Sequence, residues 1–344
     1  MSVPENQHLH LQCAALAALV VNMANISLRF RIEGEGDNGS FFSRSVEAEE
    51  IEWVIDGKGC SILDASYDDQ KEVVSSIRFV CAPKNLHEGT ILWKCVAKGN
   101  ISIWQNDPNK RVYRFWADSF YTFCLSKYVK CFKFTLGDIR DVLEFPTTEL
   151  NLEANISHLE VTVIDISKEK NQLIRNPSDA VAVVVEDKDM GKEKVKQGYI
   201  SIQLLSLESE YFRVMFNSDF NEKVTGLYSA CDFDSSQFLH FLAIIHDLDN
   251  EISKYSVQFL LQMGDFYGCR KVIARCEEAL KNGIEGVSPT DIFKLASRYA
   301  LLSVLVEAVR ATSVEQLKMI VKKHEHLDFC AAARELILER LCCA

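Results

Sequence analysis

The sequence predicts a multidomain chain: an N-terminal antiparallel β-sandwich, then an α+β domain, then C-terminal helices. Three observations carry this expectation. At 344 residues the chain exceeds one ordinary hydrophobic core, so two or three domains are expected. All four tryptophans, at 53, 93, 104 and 116, fall in the first third, where apolar residues alternate with a period of two. After Glu169 there is no tryptophan and helical periodicity takes over. The divisions drawn from this shift are an N-terminal segment over 1–25, a sandwich over 26–168, a linker over 169–178, an α+β domain over 179–285 and a helical extension over 286–344.

The sandwich rests on a series of short strands. Ile26, Leu28, Phe30 and Ile32 project one way while Ser27, Arg29 and Arg31 project the other. The same alternation recurs at Ile51-Trp53-Ile55, Ile77-Phe79-Cys81, Ile91-Trp93-Cys95, Tyr113-Phe115, Phe132-Phe134 and Leu159-Val161-Val163. Each segment can cover a core on one side and meet water on the other, as strands of a two-sheet sandwich do. A helical turn is expected near Asp138 to Leu143, before Pro146. The polar stretch from Ser167 to Gln172, leading to Asn176-Pro-Ser, marks the linker.

Beyond it, Ala180 to Val185 is an unbroken apolar, mostly β-branched run, which suits a strand buried on both faces. Phe238, Phe241, Leu242 and Ile245 form a helical stripe, and further helices are expected over about Tyr255–Met263 and Lys271–Leu280. Ser288-Pro289-Thr290-Asp291 is a helix start: a serine N-cap, proline at the first helical position and an acid at the third. The helix it opens carries Ile292, Leu295, Ala296 and Tyr299 on one face.

Composition narrows the function. With 48% hydrophobic and 25% charged residues the chain is of globular type. A net charge of -11 and a pI near 5.3 argue against nucleic acid, which needs a basic face. Lys192, Lys194 and Lys196 alternate along a short strand-like stretch and suit a solvated edge. The apolar run from Leu11 to Val21 lacks a basic leader and is too short to span a bilayer, so no membrane association is expected. The 12 cysteines include no C-x-x-C pair, so no metal is expected. Cys81, Cys95 and Cys131 fall where a thiol acts as a small buried hydrophobe, as in a reducing compartment. A cytoplasmic and/or nuclear location follows. N-x-S sequons at Asn25, Asn38, Asn100 and Asn155 keep a secreted glycoprotein as a third reading.

The most diagnostic stretch runs from Tyr199 to Phe216. It resembles the BTB/POZ signature, an aromatic, then His-Lys, a leucine, Ser-x-Tyr-Phe and Met-Phe. Tyr199, Leu205, Ser209, Tyr211, Phe212, Met215 and Phe216 match, while Ser201 and Ile202 replace the His-Lys pair. The spacing has a physical basis: Ser209 can cap a short helix whose one side buries Tyr211, Phe212, Met215 and Phe216. Phe220 and Glu222, just beyond, match a hydrophobic-x-Glu element found in many BTB adaptors that engage cullin-3.

The sandwich resembles a MATH (TRAF-like) domain, and the pairing resembles nematode MATH-BTB adaptors. The matching residues are Trp53, Trp93-Lys-Cys95, Phe134 to Ile139, Phe145-Pro146 and Leu150 to Ala154. Where better-known MATH domains line a peptide groove with aromatics, this chain has Val129 and Cys131, so the residues that would bind a client stay unassigned.

The resemblance implies a non-enzymatic substrate-recognition adaptor of a cullin-3 ubiquitin ligase, with the sandwich holding an unidentified client and the BTB domain forming a homodimer. The alternative is a non-ligase scaffold or nuclear regulatory protein acting by self-association. Homodimers of this family use a helix before the first strand, and only Gln172 to Arg175 is available for one. No catalytic residue or cofactor is expected. The chain lacks a G-x-S-x-G elbow, a phosphate-binding glycine loop and H-E-x-x-H. His240 and His246 lie on different helix faces, His324 and His326 are poorly spaced for joint ligation, and all four suit surface or capped positions. Cys276, beside Glu277, has no base nearby to activate it.

Overall fold

The structure is a computed structural model, and it describes residues 25–33, 42–48, 50–58, 74–84, 89–104, 112–135, 149–187, 194–218, 227–229 and 233–343. The chain divides into two compact units, one of residues 1–84, 93–124 and 128–163, the other of 85–92, 125–127 and 164–344. The run at 11–21, the turn expected over 138–143, and Lys192 lie outside the described residues.

The first unit is a sandwich of two four-stranded sheets. Its strands are β1 (Asn25–Glu33), β2 (Phe42–Ala48), β3 (Ile51–Lys58), β4 (Val74–Pro83), β5 (Ile91–Trp104), β6 (Val112–Cys124), β7 (Val129–Thr135) and β8 (Glu149–Asp165). One sheet has the order β1-β8-β5-β6 and the other β2-β3-β4-β7. The alternating residues do what their period requires. Ile51, Trp53, Ile55, Phe79, Cys81, Trp93 and Cys95 are all fully buried. Trp53 meets Phe123 edge to face at 5.1 Å, and Phe79 meets Phe132 at 5.8 Å in the same way.

Two expectations fail here. Leu159 is exposed and Val161 and Val163 are only half-buried, because β8 buries Leu152, Ala154 and Ile156 instead. Cys131 is exposed rather than buried: on β7 its neighbour Phe132 takes the inward side and packs on Phe79. On β4, Arg78 reaches sideways to clamp Asp56 through two bonds of 2.7 and 2.9 Å, and the carboxylate raises the guanidinium pKa.

A bulge interrupts the β5–β6 pairing between Gly99 and Ile101. Opposite it, Trp116 and Asp118 adopt left-handed backbone, at φ 40° and 52°. That conformation costs an L-residue about 1–2 kcal/mol. The bulge turns the Trp116 ring inward, where it contacts Phe79, Phe123 and Phe132 and donates from Nε1 to the Ser119 carbonyl at 2.6 Å. The ring lies flat over Gly99, in the space a Cβ would need.

The second unit opens with turns and a 3-10 turn at Pro177–Asp179. Among the described residues no α-helix lies between 166 and 180, and Leu173 is buried in this unit's core although the stretch reads as a polar linker. β9 (Ala180–Asp187) is the centre of a three-stranded sheet, antiparallel to β10 (Lys194–Ser201) and parallel to β11 (Leu227–Ser229). Val181, Ala182, Val183 and Val185 are buried, as the apolar run requires.

The helices are α1 (Ile202–Glu208), α2 (Glu210–Asn217), α3 (Ser235–Ile245), α4 (Val257–Phe266), α5 (Arg270–Asn282), α6 (Pro289–Arg298), α7 (Leu302–Ala311), α8 (Val314–Lys322) and α9 (Ala331–Cys342). α3 was expected to bury one stripe but is buried all round from Phe238 to Ile245, because β9, α4 and α5 pack on it together. The α6 start matches the sequence: Ser288 Oγ accepts from the Asp291 N–H at 3.2 Å, with Pro289 in the first turn. Phe293, absent from the expected face, is fully buried alongside Ala296, and its ring meets that of Phe329 at a tilt, 5.4 Å away. α7 packs on both α5 and α9, so the extension shares one apolar cluster with the sheet and helices before it.

Replacing Gly99 by alanine is expected to displace the Trp116 ring and cost about 1–3 kcal/mol. The measurement is the midpoint of urea unfolding of the full chain, followed by tryptophan fluorescence; an unchanged midpoint would show that the ring tolerates the added carbon.

Candidate functional site

The signature segment folds as two short helices hinged at Ser209. Its side chain accepts from the Phe212 N–H at 3.2 Å, capping α2, and its hydroxyl donates to the Tyr267 carbonyl. One residue thus starts a helix and anchors it to the end of α4. Phe212, Met215 and Phe216 bury one side of α2, and Leu205 is fully buried beneath α1. Phe212 stacks on Tyr267 with centroids 4.8 Å apart, and Phe216 meets Tyr228 edge on at 4.8 Å. Tyr199 is half-buried, its backbone N–H donating to the Ile166 carbonyl at 2.7 Å.

Tyr211 departs from expectation. It is 38% exposed, at the rim of α2, with its ring 5.5 Å from that of Phe266. The reason is angular: on α2 the buried side runs through 212, 215 and 216, and 211 falls at its edge. Leu207 on α1, Val214 on α2 and Phe266 on α4 are exposed apolar residues as well. Phe220 and Glu222 lie outside the described residues.

The residue sequence reasoning missed is Tyr267. It is almost wholly buried and its ring touches those of Tyr211, Phe212, Phe233, Phe238, Phe241 and Phe266. The only local signal is Phe266-Tyr267-Gly268 closing an amphipathic helix, with Gly268 in left-handed backbone at φ 59°.

The replaced His-Lys pair has a structural answer. Ser201 is buried, caps α1 by accepting from Leu204 N at 3.2 Å, and donates to Asp179 Oδ2 at 2.6 Å. Asp179 Oδ1 in turn accepts from the Gln203 N–H at 2.8 Å. A serine therefore satisfies the buried carboxylate and ties the entry of β9 to the start of α1.

His240 and His246, expected at surface or capped positions, are both buried, because α3 is enclosed on all sides. Burial lowers the pKa of His240, opposed by Asp249, whose carboxylate oxygen lies 3.6 Å from Nε2. Asp249 also accepts from the N–H and hydroxyl of Ser126, both at 2.8 Å. His246, at the end of α3, is lowered to about 4 by burial and then by nearby Lys271, which donates to the Ile245 carbonyl at 2.6 Å. Burial pushes the Cys276 thiol up to about 12, leaving it a protonated core residue. His324 is exposed and His326 half-buried. Among the described residues no group of three or more His, Cys, Asp or Glu could hold a metal, and no helix is long and apolar enough to cross a membrane.

With this geometry in place, the comparisons identify the class. Residues 193–284 match the model of the BTB/POZ domain, so a protein-interaction domain lies in the second unit. The chain is also similar to two proteins of Caenorhabditis elegans. BTB and MATH domain-containing protein 38 is 26% identical over 144 residues, 42% of this chain and 37% of the relative. BTB and MATH domain-containing protein 36 is 24% identical over 148 residues, 41% of this chain and 46% of the relative. The chain matches less than half the length of either relative. The architecture is a MATH-like antiparallel sandwich, a BTB domain and C-terminal helices.

Two outcomes are expected. Ser201→Ala leaves a buried Asp179 oxygen without its donor and should destabilise the chain by about 1–3 kcal/mol in urea unfolding, with Ser201→Thr recovering part of the loss. His246 sets an acid limb. The unfolded chain protonates it near pH 6.5 and the folded chain only near 4. Its contribution is therefore whole above about pH 6.5 and falls away by about 3 kcal/mol as pH drops towards 4. His246→Phe should flatten that slope; a slope unchanged by the substitution would assign it elsewhere.

Proposed function

We propose that this chain is a substrate-recognition adaptor of a cullin-3 ubiquitin ligase, without catalytic residues of its own. The observation that carries the reading is a BTB domain following a MATH-like sandwich in one chain, as the names of both relatives describe. The BTB domain holds the cullin, and the sandwich holds a client protein. Transfer then follows from proximity, which raises the effective concentration of client lysines at the ubiquitin-loading enzyme. The exposed Tyr211, Val214 and Phe266 supply aromatic and aliphatic anchors of the kind found at interface hot spots, and Tyr211 and Val214 are close in sequence to Phe220 and Glu222. The free thiols found among the described cysteines suit work in the cytoplasm or nucleus.

The test is cullin-3 recovery by the full chain carrying Phe220→Ala and Glu222→Ala. Recovery should fall at least about tenfold, equivalent to ~1.4 kcal/mol, with circular dichroism unchanged. Undiminished recovery would remove the cullin assignment and leave the self-associating scaffold, which light scattering on the full chain then examines.

A further inference from the structure

The solvent side of β8 changes character part way along the strand. In its first half Leu152, Ala154 and Ile156 are buried and Asn155, between them, is exposed. Beyond Ser157 the alternation of sides continues but the chemistry inverts. Leu159, Val161 and Val163 follow on the side that carries Asn155, Leu159 exposed and both valines half-buried. Glu160, on the other side, is exposed and pairs with Lys94 at 3.8 Å. An apolar strip thus lies on the solvent side of the sheet.

The ladder between β1 and β8 ends where this strip begins. β1 runs antiparallel to β8 from Asn25 opposite Ser157 to Glu33 opposite Glu149, and among the described residues it goes no further. Within it like stands opposite like: Ile26 meets Ile156, Ser27 meets Asn155 and Leu28 meets Ala154. The same register, carried back along the chain, sets residues 19–24 against 158–163. Met23 then falls opposite Leu159, Val21 opposite Val161 and Leu19 opposite Val163, while Asn22 falls opposite Glu160. The chain before β1 and the second half of β8 therefore switch apolar residues to the odd positions at the same point of the ladder. A slip of one residue in either direction would set Asn22 against Leu159 or Val161.

We propose that residues 19–24 extend β1 along 158–163 of β8 and cover the apolar strip with Leu19, Val21 and Met23. These residues directly precede Asn25, so they are already held at the end of the ladder and no loop has to close. Each further pair adds ladder hydrogen bonds or an apolar cross-strand contact. A second copy or a separate partner would first lose its free translation and rotation, which the tethered segment does not. The end of the apolar run Leu11–Val21 thereby gains an occupant's role inside its own domain. The proposal concerns the sandwich alone and stands whether or not the chain binds a cullin.

Hydrogen–deuterium exchange of the full chain, read by mass spectrometry, tests it. In the wild type the peptide covering 19–24 should exchange at least about tenfold more slowly than an unstructured chain. Val20→Pro and Val21→Pro together remove two successive N–H groups, which in a strand point to opposite sides, so one of them belongs to the ladder. The pair should release 19–24 and the alternate amides of 158–163 that face it, while 149–157 keep their protection and report that the sheet is intact. Leu159→Asp, placing a charge in the strip, should release 19–24 in return. Exchange of 19–24 at the unstructured rate in the wild type would overturn the proposal, as would protection of 158–163 that the two prolines leave unchanged. Protection of 19–24 that disappears on dilution would assign the strip to a second copy instead. Should the proline variant fail to fold, the wild-type rates and Leu159→Asp decide.

Discussion

A two-turn helix such as α2 has little stability of its own, because its nucleation is not repaid by so few hydrogen bonds. It exists here because Ser209 caps it, and because the Ser209 hydroxyl and the Phe212 ring are both held by Tyr267. Tyr267 is placed by α4, and its ring also packs on Phe238 and Phe241 of α3. The exposure of Tyr211 and Phe266 side by side thus depends on one buried aromatic, Tyr267, which lies 56 residues beyond Tyr211 and next to Phe266. Losing that ring would affect α2, α3 and α4 together.

The two units reach rigidity by different means. The sandwich relies on period-two strands whose buried residues interdigitate between sheets, and on one strained bulge that turns Trp116 inward. The BTB-containing unit relies on an enclosed helix, α3, surrounded by sheet and helices. Enclosure has a polar consequence: two histidines on α3 must remain neutral, since a buried charge without a full partner is costly. Divergence from the family signature is absorbed locally. A serine hydroxyl at 201 supplies both the helix cap and the donor that Asp179 needs, so the turn into α1 is kept with a smaller side chain.

The sequence determined those features that depend on neighbours along the chain. Alternation at 51–55, 77–81 and 91–95 sufficed to assign strands and their inward faces, because a strand's side chains switch sides at every residue. The caps at Ser209 and Ser288 were equally readable, because capping involves only the next three residues. The Leu205 to Phe216 core of the candidate site was readable for the same reason, whereas Phe220 and Glu222 rested on family resemblance alone.

What only the tertiary structure decided is how wide each buried face is and which remote side chains share it. That includes the exposure of Tyr211 and Cys131, the burial of His240 and His246, and the shift of burial in β8 from Leu159–Val163 to Leu152–Ile156. It includes Phe293 against Phe329 and the hub at Tyr267. In every case the deciding neighbour comes from another element, and periodicity carries no information about which element packs against which.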